Sequence, residues 1–306
     1  MEILQKINTK LKKLFFIETW NVGILKGNVK SFLDKSYLKK EIVWLPKKFG
    51  HIFYADPFGF ELRDKKYIIY EYFSYIGQKG KIDIIEVNDN FEVIKKYKNV
   101  LRHKFHLSYP HPIEYKNEIY FIVECNKSNE LVLYKLNKRN FKLERVKRLI
   151  EGQVVDASIL KYKNKWWLFF TLEDEGWNKL FVAYAGDLFG EWKMHKKNPV
   201  KADIKSARCG GTIFKYKNEL FRPAQDCSRT YGGAINICKI EKLTTTAFEE
   251  KIISHIEPFT KYKDGIHTIS QFGNVMLIDG KGKEFAILKP LVSWTKNINR
   301  LIRKIL

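Results

Sequence analysis

Apolar and polar residues alternate with a period of two along most of this chain, in short runs broken by charged turns, which is the pattern of half-buried β-strands. The stretch from Tyr54 to Glu71, YADPFGFELRDKKYIIYE, holds two such runs around the turn Arg63-Asp64-Lys65-Lys66 and reads as a β-hairpin. The outline returns as YPHPIEYKNEIYFIVE from Tyr109, DASILKYKNKWWLFFT from Asp156, RCGGTIFKYKNELFRPAQ from Arg208 and a shorter HTISQFGNVMLID from His267. In the four full copies a polar residue stands seven positions after the turn: Glu71 from Asp64, Glu124 from Asn117, Thr171 from Asn164 and Gln225 from Asn218. Asp56, Tyr109 and Asp156 occupy the matching start of the first three copies.

A repeat of roughly fifty residues made of short strands predicts a β-propeller with one four-stranded blade per period. The fold class expected is therefore all-β, a five-bladed β-propeller with short amphipathic terminal helices. Within each period the segments after the hairpin supply the outer strands, among them Lys81–Val87 and Phe91–Tyr97 in the first blade. Because the fifth copy is short, ring closure is expected to borrow a strand from the region before Asp56. The chain is read as one domain over 1–306, with the propeller at 17–289. Residues 1–16 carry apolar positions at helical spacing with lysines opposite, and 290–306 repeat that design, so both ends read as basic amphipathic helices. The innermost strand of each blade starts near the axial funnel, so Asp56, Tyr109, Asp156, Arg208 and His267 are expected to converge on one pocket.

Bulk composition changes this picture little. Hydrophobic residues make up 45% and aromatics 15% of 306 residues, enough for a packed core. The net charge is +22, but the lysines are scattered through the blade turns and form no single stripe, so nucleic acid is not expected as a partner. The charge fits a Lys-rich composition that guards exposed strand edges, or else an anionic membrane or phosphorylated substrate, with the terminal helices packed under the propeller or docked on that membrane. Cys125, Cys209, Cys227 and Cys238 show no CxxC spacing and read as reduced thiols. With no apolar leader and no long apolar run, a cytoplasmic location is expected, with peripheral contact on the inner face of the membrane.

The polar residues carry the chemistry. Asp56 and Asp156, at equivalent repeat positions, offer the paired carboxylates that glycosyl chemistry needs. The densest polar stretch runs from Ser206 to Gly233, where Arg208, Arg222 and Arg229 accompany Gln225, Asp226 and Tyr231. Arginine forks match phosphate or carboxylate, and the glycines there allow close backbone approach. His106, Tyr109 and His267 are placed on the same face. The histidines are too dispersed for a metal site, and neither a metal nor another cofactor is expected. Trp166 and Trp167 sit mid-strand and read as core.

The ordered motifs YADPF, HLSYP, VDAS, KWWLFF, GEWKMHKKNPV, ARCGG, FRPAQDCSRTYGG, LTTTAFEE and GIHTIS resemble the N-terminal domain of glucosamine inositolphosphorylceramide transferases and its bacterial relatives, from about Trp20 to Gly280. That domain is similar in turn to the five-bladed propellers of arabinanase and β-xylosidase glycoside hydrolases. The resemblance implies a base at Asp56 and an orienting carboxylate at Asp156. It also implies an acid Glu at the start of the fourth blade, where this chain has Ala207-Arg208-Cys209-Gly210. An arginine cannot protonate a leaving oxygen but can neutralise a leaving phosphate. The expected function is therefore transfer of a sugar from a phosphorylated or nucleotide-activated donor to a glycan or lipid-linked acceptor in surface-polysaccharide assembly. In that reading Asp56 and Asp156 are catalytic. Arg208 and Arg222 hold the phosphate, while Glu71, His106, Tyr109, Glu124, Gln225, Asp226, Tyr231 and His267 line the sugar site. The alternatives are a glycoside hydrolase with Glu71 or Glu124 as the acid, and a non-catalytic glycan-binding module.

Overall fold

In the computed structural model, which describes residues 15–47, 50–287 and 289, the chain forms five antiparallel sheets arranged as the blades of a propeller. Blade 1 comprises Ile52–Leu62, Lys65–Ser74, Lys79–Val87 and Val93–Tyr97. Blade 2 comprises Ser108–Tyr115, Glu118–Glu124, Glu130–Asn137 and Lys142–Glu151. In blade 3, Val154–Tyr162, Lys165–Leu172 and Lys179–Ala185 are followed by the short pieces Lys193–Met194 and Lys201–Ala202, which both pair with the third strand. Blade 4 comprises Phe214–Tyr216, Glu219–Asp226, Ala234–Leu243 and Phe248–Ile256. Blade 5 draws its inner strands, Ile269–Phe272 and Val275–Phe285, from the end of the chain and its outer strands, Phe16–Lys26 and Val43–Trp44, from the beginning. The borrowed strand expected before Asp56 is thus two strands. Phe16 to Lys26 pairs residue for residue with Phe285 to Val275 and closes the ring.

The repeated turn explains the repeated register. Arg63-Asp64, Lys116-Asn117, Lys163-Asn164 and Lys217-Asn218 all have positive φ at both residues, the two-residue turn whose twist suits a hairpin. Such a turn fixes which residues face each other, so Glu71 pairs with Ala55, Glu124 with Ser108 and Thr171 with Val155. The apolar residues pack between blades, in five clusters. One joins blades 1 and 2 through Phe60 and Phe121, and another joins blades 3 and 4 through Phe169 and Leu220. Trp166 and Trp167 lie in two of these clusters.

The helix expected over 1–16 and the one over 290–306 lie outside the described residues, apart from Phe15 and Phe16, and Phe16 already opens the strand Phe16–Lys26. Among the described residues no helix is long and apolar enough to cross a membrane.

Candidate active site

Directly after each paired position the inner strand bulges. Asp56-Pro57, Tyr109-Pro110 and Asp156-Ala157 each set two residues against a single partner residue. The first residue of each bulge is left-handed, with φ of 50° at Asp56, 45° at Tyr109 and 48° at Asp156. A non-glycine residue held there costs energy and turns its backbone N–H out of the ladder. Each freed N–H finds an acceptor on the preceding blade. The Asp56 N–H donates to Asp279 Oδ2 at 3.2 Å, Tyr109 N–H to Asp56 Oδ2 at 3.2 Å, and Asp156 N–H to Glu124 Oε2 at 2.8 Å. The bulges are stitched blade to blade by carboxylates, and those carboxylates are the polar groups of the funnel.

On one side of the funnel Asp56 accepts the Thr268 hydroxyl on Oδ1 at 3.0 Å, and His267 Nε2 stands 3.8 Å from the same oxygen. His267 Nδ1 lies 2.6 Å from Asp279 Oδ2, and its ring stacks on Trp20 with centroids 3.9 Å apart. Burial pushes the Asp56 carboxyl up to about 6, opposed by the charge of His267. The His267 imidazolium, although buried, is held above its ordinary value by Asp279.

On the other side the Asp156 carboxylate accepts from Arg208 Nε and from Gln225 Nε2, the latter at 2.8 Å, both on Oδ2. Arg208 is 5% exposed, its Nη1 has no acceptor, and its guanidinium lies over the rings of Trp177 and Tyr231 at 5.2 and 5.1 Å. Burial and the Asp156 charge raise Glu124 to about 8, against the opposing pull of Arg208. Glu71 is raised well above the carboxylate range by burial and by Asp56 and Glu124. Its Oε1 stands 3.3 Å from His106 Nε2. His106 Nδ1 accepts the Gly80 N–H at 3.0 Å, so Nε2 carries the proton, and burial lowers this histidine to about 4. Near neutral pH the funnel therefore sets a carboxylate at Asp56 beside a carboxylic acid at Glu124.

Asp56, Glu71, His106, Glu124, Asp156, Arg208, Gln225, Tyr231 and His267 come together as the sequence placed them. Three residues are corrected. Arg222 is fully buried beside Glu250, giving Nε to Oε2 at 3.0 Å and its remaining donors to Glu250 and the Ser206 and Ala207 carbonyls, so it has nothing left for a phosphate. Asp226 accepts the Ser228 N–H at 3.0 Å and folds its own turn. Tyr109 is 1% exposed, and its hydroxyl meets Ser158 at 3.0 Å and the Gly211 N–H at 2.6 Å, so it is spent on bonds between blades. Gly211 makes that crossing possible, since a side chain there would lie 1.8 Å from the Ile269 carbonyl. The sequence reading missed Asp279, Thr268, Trp20 and Trp177. Asp279 alone had a signal, because it ends the fifth hairpin as Glu71 ends the first.

Asp56, His267 and Asp279 offer three ligand atoms within 4.8 Å of one another, the one such group among the described residues. The imidazole Nδ1 is engaged by Asp279, and Asp56 Oδ1 by the Thr268 hydroxyl.

Residues 45–268 match the family described as glucosamine inositolphosphorylceramide transferase 1, N-terminal. The chain belongs to that family. Its relatives include glucosamine inositolphosphorylceramide transferase 1 of Oryza sativa subsp. indica, 36% identical over 204 residues, and that of Arabidopsis thaliana, 33% identical over 208. Each match covers 65% of this chain and 27% of the relative, so this member of the family spans about a quarter of the curated proteins it resembles. Among solved structures, the family 117 glycoside hydrolase Zg3597 of Zobellia galactanivorans aligns with a TM-score of 0.54 at 13% identity, covering 90% of this chain and 92% of that one. A thermostable family-43 glycoside hydrolase aligns with a TM-score of 0.53 at 13% identity, covering 67% and 78%. At such identities the likeness is one of fold: this domain family shares the five-bladed propeller with glycoside hydrolases.

Proposed function

We propose that this chain acts on a glycosidic bond by carboxylate acid–base chemistry, with hydrolysis as the reaction that the geometry supports best. The observation that carries the reading is that the Asp56 and Glu124 carboxyl groups, on adjacent blades, each accept the bulge N–H of the next blade within one funnel, and burial raises Glu124, to about 8, further than Asp56, to about 6. Glycoside cleavage needs that division, one carboxylate to activate water and one carboxylic acid to protonate the leaving oxygen. Asp56 is the base, steadied by Thr268, His267 and Asp279. Glu124, half-buried at the funnel, is the acid. Glu71 is raised as well, but it is 5% exposed, with the His106 ring against its Oε1. Asp156 sets the electrostatics of Glu124 and spends its own charge on Arg208 and Gln225.

Transfer from a phosphorylated donor is less well supported. It asks for several cations around two or more phosphate charges, yet Arg222 is committed to Glu250 and Arg208 to Asp156. The family name favours transfer as the second reading, in which an acceptor hydroxyl replaces water beside Asp56. The test is incubation with a panel of oligosaccharides and aryl glycosides in the absence of any acceptor. Free sugar should be released, and Asp56→Asn and Glu124→Gln should each lower kcat by about 10²–10⁴. Glu124→Gln should recover on nitrophenyl glycosides, whose leaving group needs no proton. Release unaffected by either substitution, or product formed only from nucleotide sugars with an acceptor, refutes hydrolysis.

A further inference from the structure

Trp177 is the one exposed tryptophan among the described residues, at 40% of its surface, and it stands at the funnel. It lies on the connection between the second and third strands of blade 3, after the short turn Glu173–Glu175 and Gly176 at φ 78°. Large apolar rings at a surface are ordinarily mobile or packed away. This ring is neither, because the Arg208 guanidinium braces it at 5.2 Å and the Tyr231 ring at 5.5 Å with a 59° tilt. Arg208 is in turn fixed by Asp156, and Tyr231 by Lys281, whose Nζ donates to the Tyr231 carbonyl. The indole is thus immobilised while much of it stays open to solvent.

Beside it sits a second unfilled capacity. Arg208 Nη1 is buried without an acceptor, a costly state for a cationic donor and one that a ligand oxygen would relieve. A rigid aromatic face next to a free N–H donor matches a pyranose ring, which lays its C–H face on the aromatic and offers a hydroxyl oxygen to the donor.

We propose that Trp177 and Arg208 form a subsite for a second sugar ring, adjoining the bond to be cleaved. Two lines of contact tie this subsite to the proposed acid and base. Glu124 Oε2 accepts the Asp156 N–H at 2.8 Å, the Asp156 carboxylate binds Arg208, and Arg208 lies under Trp177. On its other flank Tyr231, which packs against Trp177, meets His267 at 5.4 Å, and His267 Nε2 stands 3.8 Å from Asp56 Oδ1. A ring held by Trp177 therefore neighbours both groups. The substrate is a disaccharide or longer, with a pyranose at this subsite. This inference rests on the glycoside reading above.

A glycan array of monosaccharides and linear di- to tetrasaccharides, probed with labelled protein, tests it, followed by calorimetric titration of the best feature. The wild type should bind a disaccharide or longer glycan at least about tenfold more tightly than its monosaccharides. Trp177→Ala should remove that preference, and Trp177→Phe should keep part of it, with circular dichroism unchanged in both. Equal affinity for mono- and disaccharide, or a disaccharide affinity unmoved by Trp177→Ala, overturns the subsite and leaves the glycoside reading standing. Binding to no sugar at all overturns both.

Discussion

Replacing Asp279 should test whether the funnel is also the fastener of the ring. Asp279 is fully buried on blade 5 and accepts four hydrogen bonds. Its Oδ1 takes the N–H groups of His267 and Thr268, both at 3.0 Å. Its Oδ2 takes the Asp56 N–H of blade 1 at 3.2 Å and faces His267 Nδ1 at 2.6 Å. Asp279→Ala removes every acceptor and strands four donors. At about 1–3 kcal/mol for each buried donor, with water entering the vacated space, the cost should be about 4–6 kcal/mol. That is a large part of the about 5–15 kcal/mol that holds a domain together. Asp279→Asn keeps Oδ1 but presents an amide N–H₂ to the imidazole, which must give up its own proton to accept, so about 2–3 kcal/mol should be lost.

Urea unfolding followed by tryptophan fluorescence measures both, with unchanged m-values as the condition for comparing midpoints. The His267 imidazolium is raised above 6.5, so its contribution should be whole below that pH and lost as pH rises through the raised folded value. The alanine variant should then fall further below wild type at pH 6.5 than at pH 9. A cost under about 1 kcal/mol for Asp279→Ala, or the same cost at both pH values, would refute the role of this carboxylate in closing blade 5 on blade 1.

Three further outcomes follow from the site. Activity against glycosides should be bell-shaped in pH: it falls below about 6 as the Asp56 base is protonated and above about 8 as the Glu124 acid ionises, read from kcat/KM between pH 4 and 10. Glu250→Ala should cost about 3–5 kcal/mol in urea unfolding, because it leaves the buried Arg222 charge uncompensated, whereas Arg222→Leu with Glu250→Leu should recover much of the loss. Asp226→Ala, on a turn that the site does not use, should leave glycoside turnover intact and stability within about 1 kcal/mol.

The part of this site that was legible in the sequence is the part that hairpin geometry dictates. A two-residue turn fixes register, so counting seven residues from Asp64 and Asn117 lands on Glu71 and Glu124, which do face the funnel. The count fails on the fifth hairpin. There Asp279 lies five residues after Asn274, and seven residues on is Lys281, buried against Trp20. The same period excludes two residues that the sequence reading admitted. Gln225 faces Asp156, and Arg222 and Asp226 stand three and one positions from it, odd offsets that turn a strand residue to the other face. Trp177 was out of reach, since it lies in a connection that carries no period.

Arg208 stands where the resemblance called for an acid, and the acid proposed in its place is Glu124, two blades away in sequence. The propeller permits this because every inner strand ends at the same funnel, so a group can enter from any blade and meet the same bond. What makes a carboxyl an acid there is its surroundings. Burial and Asp156 raise Glu124, and Arg208 answers Asp156 without reaching far enough to ionise Glu124. A guanidinium at the fourth position is thus compatible with glycoside cleavage, provided a protonated carboxyl stands beside it. The overall +22 charge says little about this chemistry, because the funnel has its own balance, with Asp56, Asp156 and Asp279 facing Arg208, His267 and the buried Lys281. A neutral sugar meets that balance more readily than a diphosphate does, since it brings hydroxyls for Arg208 Nη1 and no charge for which the funnel lacks a partner.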